Sequence, residues 1–305
     1  MHYRTIGAVQ VLMAGMFWGT YGTLATFLPI GIPPITVSAI RLGVGTLGLA
    51  IILMITRKGR ILAKGTQVPV VSLVISSFAL ATAQIALYYA VRSAGVTIGT
   101  MVFVGTPPLY SGLYGQFVKR EKQSLSWLVS SLIISAGCIL MAISGDVVAE
   151  GNRLVLGSLS AAIAGAGWTI VGTLLRNLQK TSTPLESSFM VMGAAAIILL
   201  PMGAIRGYTW FGDPQVILLS ATLGIVSTAI PYLFFTRGSR KIPASHAFLY
   251  GLSEPITASF LGLVLLKERL DNTGSVGYAA VVIGLVLFSV WEFRKAREME
   301  LGNRA

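Results

Sequence analysis

Glu254 lies near the middle of an apolar run, preceded by His246 and Tyr250 and flanked by Ser253 and Pro255. In a helix, positions i, i+4 and i+7 or i+8 share a face, so His246, Tyr250 and Ser253 or Glu254 are expected to line up. A carboxylate, an imidazole and a phenol on one face can bind an ammonium group or carry a proton. A second reading is structural: Pro255 frees a carbonyl one turn back, near Gly251, and Glu254 helps organise that kink. His246, a few residues from its helix end, can equally cap the end or face water. Catalysis is a poor match, because the chain holds only two histidines, His2 and His246, and one cysteine, Cys138, with no triad or metal-ligand spacing. No enzyme activity, cofactor or metal is expected, and Cys138 reads as a packing residue.

Other polar and aromatic residues recur at mid-run positions. Trp18, Thr100, Phe103 and Trp168 lie there, as do the stripes Ser77-Ala81-Gln84-Tyr88 and Ser220-Gly224-Ser227-Pro231, with Thr228 beside the second. Polar stripes in apolar helices turn away from lipid towards a cavity or a neighbouring helix. Trp18, Gln84, Tyr88, Thr100, Trp168, Ser227, His246, Tyr250 and Glu254 are therefore the candidate substrate-binding set. Their convergence predicts an aromatic-walled pocket with a few hydrogen-bonding groups, suited to a small amphiphile whose apolar part stacks on Trp or Tyr. The alternatives are packing anchors for the tryptophans, a helix–helix hydrogen bond for Gln84 and an interfacial belt position for Tyr88. Arg41, about 10 Å from its helix end, either holds a substrate carboxylate or snorkels and ties helix ends together.

The elements that must position these residues follow from composition. The 305-residue chain is 54% hydrophobic and 11% charged, where soluble domains carry about 25% charged residues. Its mean hydropathy is +0.77. Repeated apolar runs of about 20 residues are long enough to cross a bilayer, whereas a β-barrel would show short alternating segments. The fold class is an all-α polytopic membrane protein. Ten spans are expected, near 7–28, 34–56, 68–91, 95–118, 124–145, 155–176, 184–206, 214–236, 242–266 and 272–293. The first is too long, and its flank too weakly basic, for a signal peptide. Pro33-Pro34, Pro184 and Pro243 sit near helix starts; Asp146, Asn152, Asp213 and Asp271-Asn272 mark turns or caps. Gly43-Val-Gly45-Thr-Leu-Gly48 matches a dinucleotide fingerprint but lies mid-helix with no preceding strand. These glycines, with Gly15/Gly19 and Gly95/Gly99, instead allow close helix packing.

The chain repeats itself. An offset of 150 maps Gly7, Gly15, Trp18, Gly22, Thr23 and Pro34 onto Gly157, Gly165, Trp168, Gly172, Thr173 and Pro184. An offset of 147 maps Thr97, Pro108, Glu121 and Gly137 onto Ala244, Pro255, Glu268 and Gly284. Residues 1–148 and 149–305 thus read as two five-helix halves. Five is odd, so the second half is expected upside down relative to the first, an arrangement seen in secondary transporters. The net charge of +12 is spread through short clusters between the runs rather than on one face, which argues against nucleic acid. With the amino terminus in the cytoplasm, 17 Lys and Arg fall on the cytoplasmic side and 5 outside, Arg41 apart. Positive residues collect inside, so both termini are expected there, in the inner (plasma) membrane.

Trp18 and Trp168 in the first helix of each half, Arg41 seven residues after Pro34, Thr106-Pro107-Pro108 with Glu121, and Ser253-Glu254-Pro255 with Glu268 carry a resemblance. The chain resembles the drug/metabolite transporter superfamily and, within it, the EamA-type ten-helix exporters, over essentially its whole length. The resemblance implies a secondary transporter with small-molecule substrates, working by alternating access in a lipid bilayer. Among the subgroups it is similar to the YddG-like exporters of aromatic and other neutral amino acids. Relatives that move drugs, nucleotide sugars or triose phosphates share the same motif residues. Glu121 and Glu268 read as pairing or capping residues at helix ends.

Overall fold

A backbone inside lipid must satisfy its own hydrogen bonds, which leaves apolar runs of this length little choice but helix. The computed structural model describes residues 2–29, 31–56, 62, 68–120, 123–144, 151–205, 213–267 and 270–302, and among these the regular elements are all helical. In order they are α1 (His2–Ala25), α2 (Pro34–Thr56), α3 (Val70–Ala94), α4 (Val96–Phe117), α5 (Leu125–Ser144), α6 (Asn152–Leu178), α7 (Pro184–Ile205) and α8 (Pro214–Gly224). A π-helical turn, Ile225–Ala229, joins α8 to α9 (Ile230–Ser239), and α10 (Ala244–Gly251), α11 (Ser253–Leu265) and α12 (Asn272–Gly302) follow.

Eight spans among the described residues are long and apolar enough to cross a membrane, counting α8–α9 and α10–α11 as one each. The helices outside that set are α1 and α4, of 24 and 22 residues. They have the length, but glycine, threonine and, in α4, Pro107 and Pro108 dilute their hydropathy. Both border the cavity described below.

The expected helix starts take their caps locally. Asp213 accepts a hydrogen bond from the Gln215 amide at 2.8 Å, Asp271 one from Gly274 at 2.7 Å, and Glu186 one from the Thr183 amide at 2.7 Å. Prolines at the first helical position of α2, α7 and α8 cost nothing there, because that amide has no partner within the helix. Gly95 departs from the packing role expected of it. It has φ +91° and forms the turn between α3 and α4, whereas Gly99 does press against the α3 backbone. Asp146, Glu121 and Glu268 lie outside the described residues.

Two expected single helices are interrupted. The π turn inserts one extra residue between α8 and α9 and turns the following face by about 100°. The second break is at Leu252. Pro255 lacks a donor for the Gly251 carbonyl, and its ring crowds that position. In α4 the same difficulty does not break the helix. Pro107 frees the Phe103 carbonyl, but Thr106 donates to it at 3.3 Å, and Ser135 of α5 donates to the Gly105 carbonyl at 3.4 Å. Ser253, two residues before Pro255 as Thr106 is before Pro108, instead donates to the Leu12 carbonyl of α1 at 2.8 Å. The hydroxyl that mends α4 ties α11 to α1.

Packing sorts the helices into matched groups. α1 lies against α9, α10 and α11; α6 lies against α3 and α4; α2 pairs with α7, and α5 with α12. Glycine sets the closest approaches. A Cβ on Gly15 would lie 2.6 Å from the Gly251 carbonyl oxygen, and one on Gly19 2.6 Å from that of Glu254. Gly165 of α6 meets Thr106 of α4 in the same way. Leu42, Leu80, Leu175, Leu199, Phe235 and Phe288 are fully buried between helices, while Ile55, Val71, Ile139, Ile197 and Leu218 face outwards. Such apolar exteriors suit lipid rather than water.

Candidate functional site

The helix break, the π turn and the glycine contacts bring α1, α2, α3, α4, α6, α9 and the α10–α11 joint around one cavity of about 110 Å³. That is room for several waters, or for a small metabolite if the walls adjust. One end is an aromatic box. Trp18 meets Trp168 edge to face, with ring centroids 5.3 Å apart; Tyr232 stands edge-on to both at 5.9 and 5.5 Å; Phe235 lies 5.4 and 5.7 Å from them. Phe248 packs behind Phe235 at 6.0 Å. Edge-to-face contacts align positive ring edges with negative faces and add about 1 kcal/mol per pair beyond burial.

The rest of the wall is mixed. Gln84 and Leu87 come from α3, Thr100, Phe103 and Pro107 from α4, Tyr21 from α1, Ser38 and Arg41 from α2, and Glu254 from the first turn of α11. The Arg41 guanidinium sits 4.3 Å over the Tyr21 ring, and its Nε is buried without a hydrogen-bond partner among the described residues. Arg41 also borders a pocket of about 10 Å³ beside Leu28, Ile32 and Ser220, room for one water. Gln84 is 8% exposed, and its Oε1 is likewise unpartnered.

Of the nine candidate residues, Trp18, Gln84, Thr100, Trp168 and Glu254 line this cavity. The other four lie elsewhere, each for a visible reason. The break at Leu252 splits the expected α10–α11 face: Glu254 turns to the cavity, while His246 and Tyr250 turn to α12. There His246 Nδ1 lies 3.5 Å from a Glu292 carboxylate oxygen, and the Phe288 ring lies 5.1 Å from His246 and 5.2 Å from Tyr250. Ser227, within the π turn, is fully buried and shares a 2.9 Å hydrogen bond with Thr20 of α1. Tyr88 is buried against Tyr89, with Arg92 6.0 Å from its ring centroid. Thr228 folds back onto the Leu223 carbonyl at 2.9 Å.

Sequence reasoning passed over Tyr232, Phe235, Phe248 and Tyr21. Their signal was faint: extending the Ser220-Gly224-Ser227-Pro231 stripe by one turn reaches Phe235, but all five residues in Pro231–Phe235 are aromatic or apolar. A larger groove of about 790 Å³ runs between α2, α3 and α7. Apart from Thr46, which bonds its own helix at Leu42, its wall is apolar side chains and glycine. It offers no group that could recognise a polar ligand.

A bundle of long apolar helices around a small polar-and-aromatic cavity, with a helix broken beside an acidic residue, has the layout of a membrane transporter rather than an enzyme. The comparisons with known proteins agree. The model of the EamA-like transporter family matches residues 5–143 and again 155–290, and the chain belongs to that family. Across 284 residues it is 30% identical to the uncharacterized transporter YwfM of Bacillus subtilis (strain 168), covering 93% of this chain and 94% of the relative. It is 26% identical over 279 residues to the threonine/homoserine exporter RhtA of Escherichia coli (strain K12), covering 89% and 86%. A solved crystal structure superimposes with a TM-score of 0.78 at 17% identity, over 94% of this chain and 98% of that one, a likeness of fold.

Proposed function

We propose that this protein is a ten-helix secondary transporter that exports small metabolites, foremost neutral and aromatic amino acids, by alternating access across the inner (plasma) membrane. In this reading residues 1–148 and 149–305 are inverted five-helix repeats, and both termini are cytoplasmic. The reciprocal packing supports the repeat: α1 against α9–α11 mirrors α6 against α3–α4, and Gly15 against Ser253 mirrors Gly165 against Thr106. The observation that carries the function is the cavity itself, where an aromatic box adjoins Arg41, Glu254 and Gln84. The box accepts an apolar side chain and the polar groups accept a charged head.

The relationship to RhtA supports amino acid export, since that protein's name records threonine and homoserine. A carboxylate beside aromatic rings also suits organic cations, which keeps cationic drugs as the second reading. The test is flux of labelled leucine, phenylalanine and threonine into proteoliposomes. Saturable, counterflow-stimulated uptake above empty liposomes is the expected result; none for any of them, with uptake of a cationic dye, favours the second reading.

A further inference from the structure

The two charged residues of the cavity are arranged as unfilled poles. Arg41 and Glu254 line the same cavity. Yet they form no direct ion pair, and neither carboxylate oxygen accepts a hydrogen bond from a described residue. The Arg41 guanidinium lies over the Tyr21 ring, and its buried Nε has no partner among the described residues. Gln84 adds a second unpartnered polar atom on the same wall, in a side chain more than nine-tenths buried. A guanidinium Nε and an amide oxygen buried without partners are costly until something pairs with them. Two opposite charges on one cavity that do not pair with each other leave space for a molecule that carries both signs.

We propose that Arg41 and Glu254 are a dipolar clamp that selects zwitterions: Arg41 takes the α-carboxylate of an α-amino acid, Glu254 its α-ammonium, and Gln84 a remaining hydrogen bond. The guanidinium fork matches a carboxylate and stays charged at any working pH. The amino acid side chain then points to Trp18, Trp168, Tyr232 and Phe235, which supply apolar surface with little polar demand. Selectivity follows from charge balance. A simple amine satisfies Glu254 and leaves Arg41 unpaired; a simple acid does the reverse. Leaving a site's polar group unpaired discriminates far more strongly than a missing methylene does. The clamp therefore rejects net cations and net anions and accepts neutral dipolar ions, with tolerance for the side chain.

This inference rests on the amino acid exporter reading and is tested separately from it. Proteoliposomes holding the wild-type protein are offered L-phenylalanine, phenethylamine and 3-phenylpropionate, which share one apolar group. Phenylalanine is expected to move, and each analogue to compete at least about tenfold more weakly. The variant R41Q is expected to narrow the gap between phenylalanine and the amine, and E254Q the gap between phenylalanine and the acid. R41K, which keeps the charge, is expected to restore part of the discrimination. Phenylalanine flux with equally effective analogues overturns the clamp and leaves the exporter reading standing. Absence of flux for all three overturns the exporter reading and the clamp with it. The wild-type comparison decides the matter even if a variant fails to fold. Folded variants that lose flux while both ratios stay unchanged also overturn the clamp.

Discussion

Trp18 of α1 and Trp168 of α6 meet edge to face, 5.3 Å between ring centroids, although α1 packs mainly against α9–α11 and α6 mainly against α3 and α4. Tyr232 and Phe235 of α9 close the contact from the side. The pair is thus a place where the group around α1 touches the group around α6. It also forms one end of the cavity, so it joins packing to recognition.

Replacing Trp18 with Ala removes three ring contacts at once. At about 1 kcal/mol for such a contact, the thermal midpoint is expected to fall, and loss of the ring that lines the cavity is expected to weaken apparent affinity for phenylalanine, with helix content unchanged by circular dichroism. Trp18→Phe keeps an aromatic edge and is expected to lose less. Equal transport by Trp18→Ala and wild type would remove the box from the binding site.

Gly15 should tolerate no side chain. A Cβ there falls 2.6 Å from the Gly251 carbonyl oxygen, and overpacking of this kind costs about 1–3 kcal/mol. Gly15→Val is expected to lower the thermal midpoint in detergent clearly. Gly22→Ala, on the same helix with nothing within 4 Å, is expected to be neutral or slightly stabilising. A stable Gly15→Val protein would argue against the α1–α11 contact.

His246 and Glu292 join α10 to α12 away from the cavity. His246→Ala is expected to change stability or rate but leave the ranking of phenylalanine, leucine and threonine intact in competition assays. A reordered ranking would return His246 to the substrate site.

Cys138 is 2% exposed, so the wild-type protein is expected to stay silent to a membrane-impermeant maleimide in intact cells. Exposed ends then report the topology. Arg153→Cys is expected to label from outside and Lys180→Cys only after permeabilisation. The opposite pattern would invert the proposed orientation while leaving the fold unaffected.

The sequence by itself determined the parts of this protein that depend on composition and on chain order. Long apolar runs must become helices, because lipid offers the backbone no partner. The recurrence of Gly15 and Trp18 as Gly165 and Trp168, together with the Thr106–Pro108 and Ser253–Pro255 motifs, was enough to reach the EamA-like family. Trp18, Gln84, Thr100, Trp168 and Glu254, which line the cavity, stand out in the sequence as polar or broad aromatic residues at mid-run positions. Tertiary structure alone decided which of the candidates share a cavity, because facing depends on helical phase and phase changes at each irregularity. One extra residue in the π turn leaves Ser227 bonded to Thr20, and the break at Leu252 sends His246 and Tyr250 to α12 while Glu254 goes inwards. Arg41 shows the same limit from the other side. Its position along α2 could be read directly, but its place on the same cavity as Glu254 depends on how several helices pack around that space, and no local spacing records that.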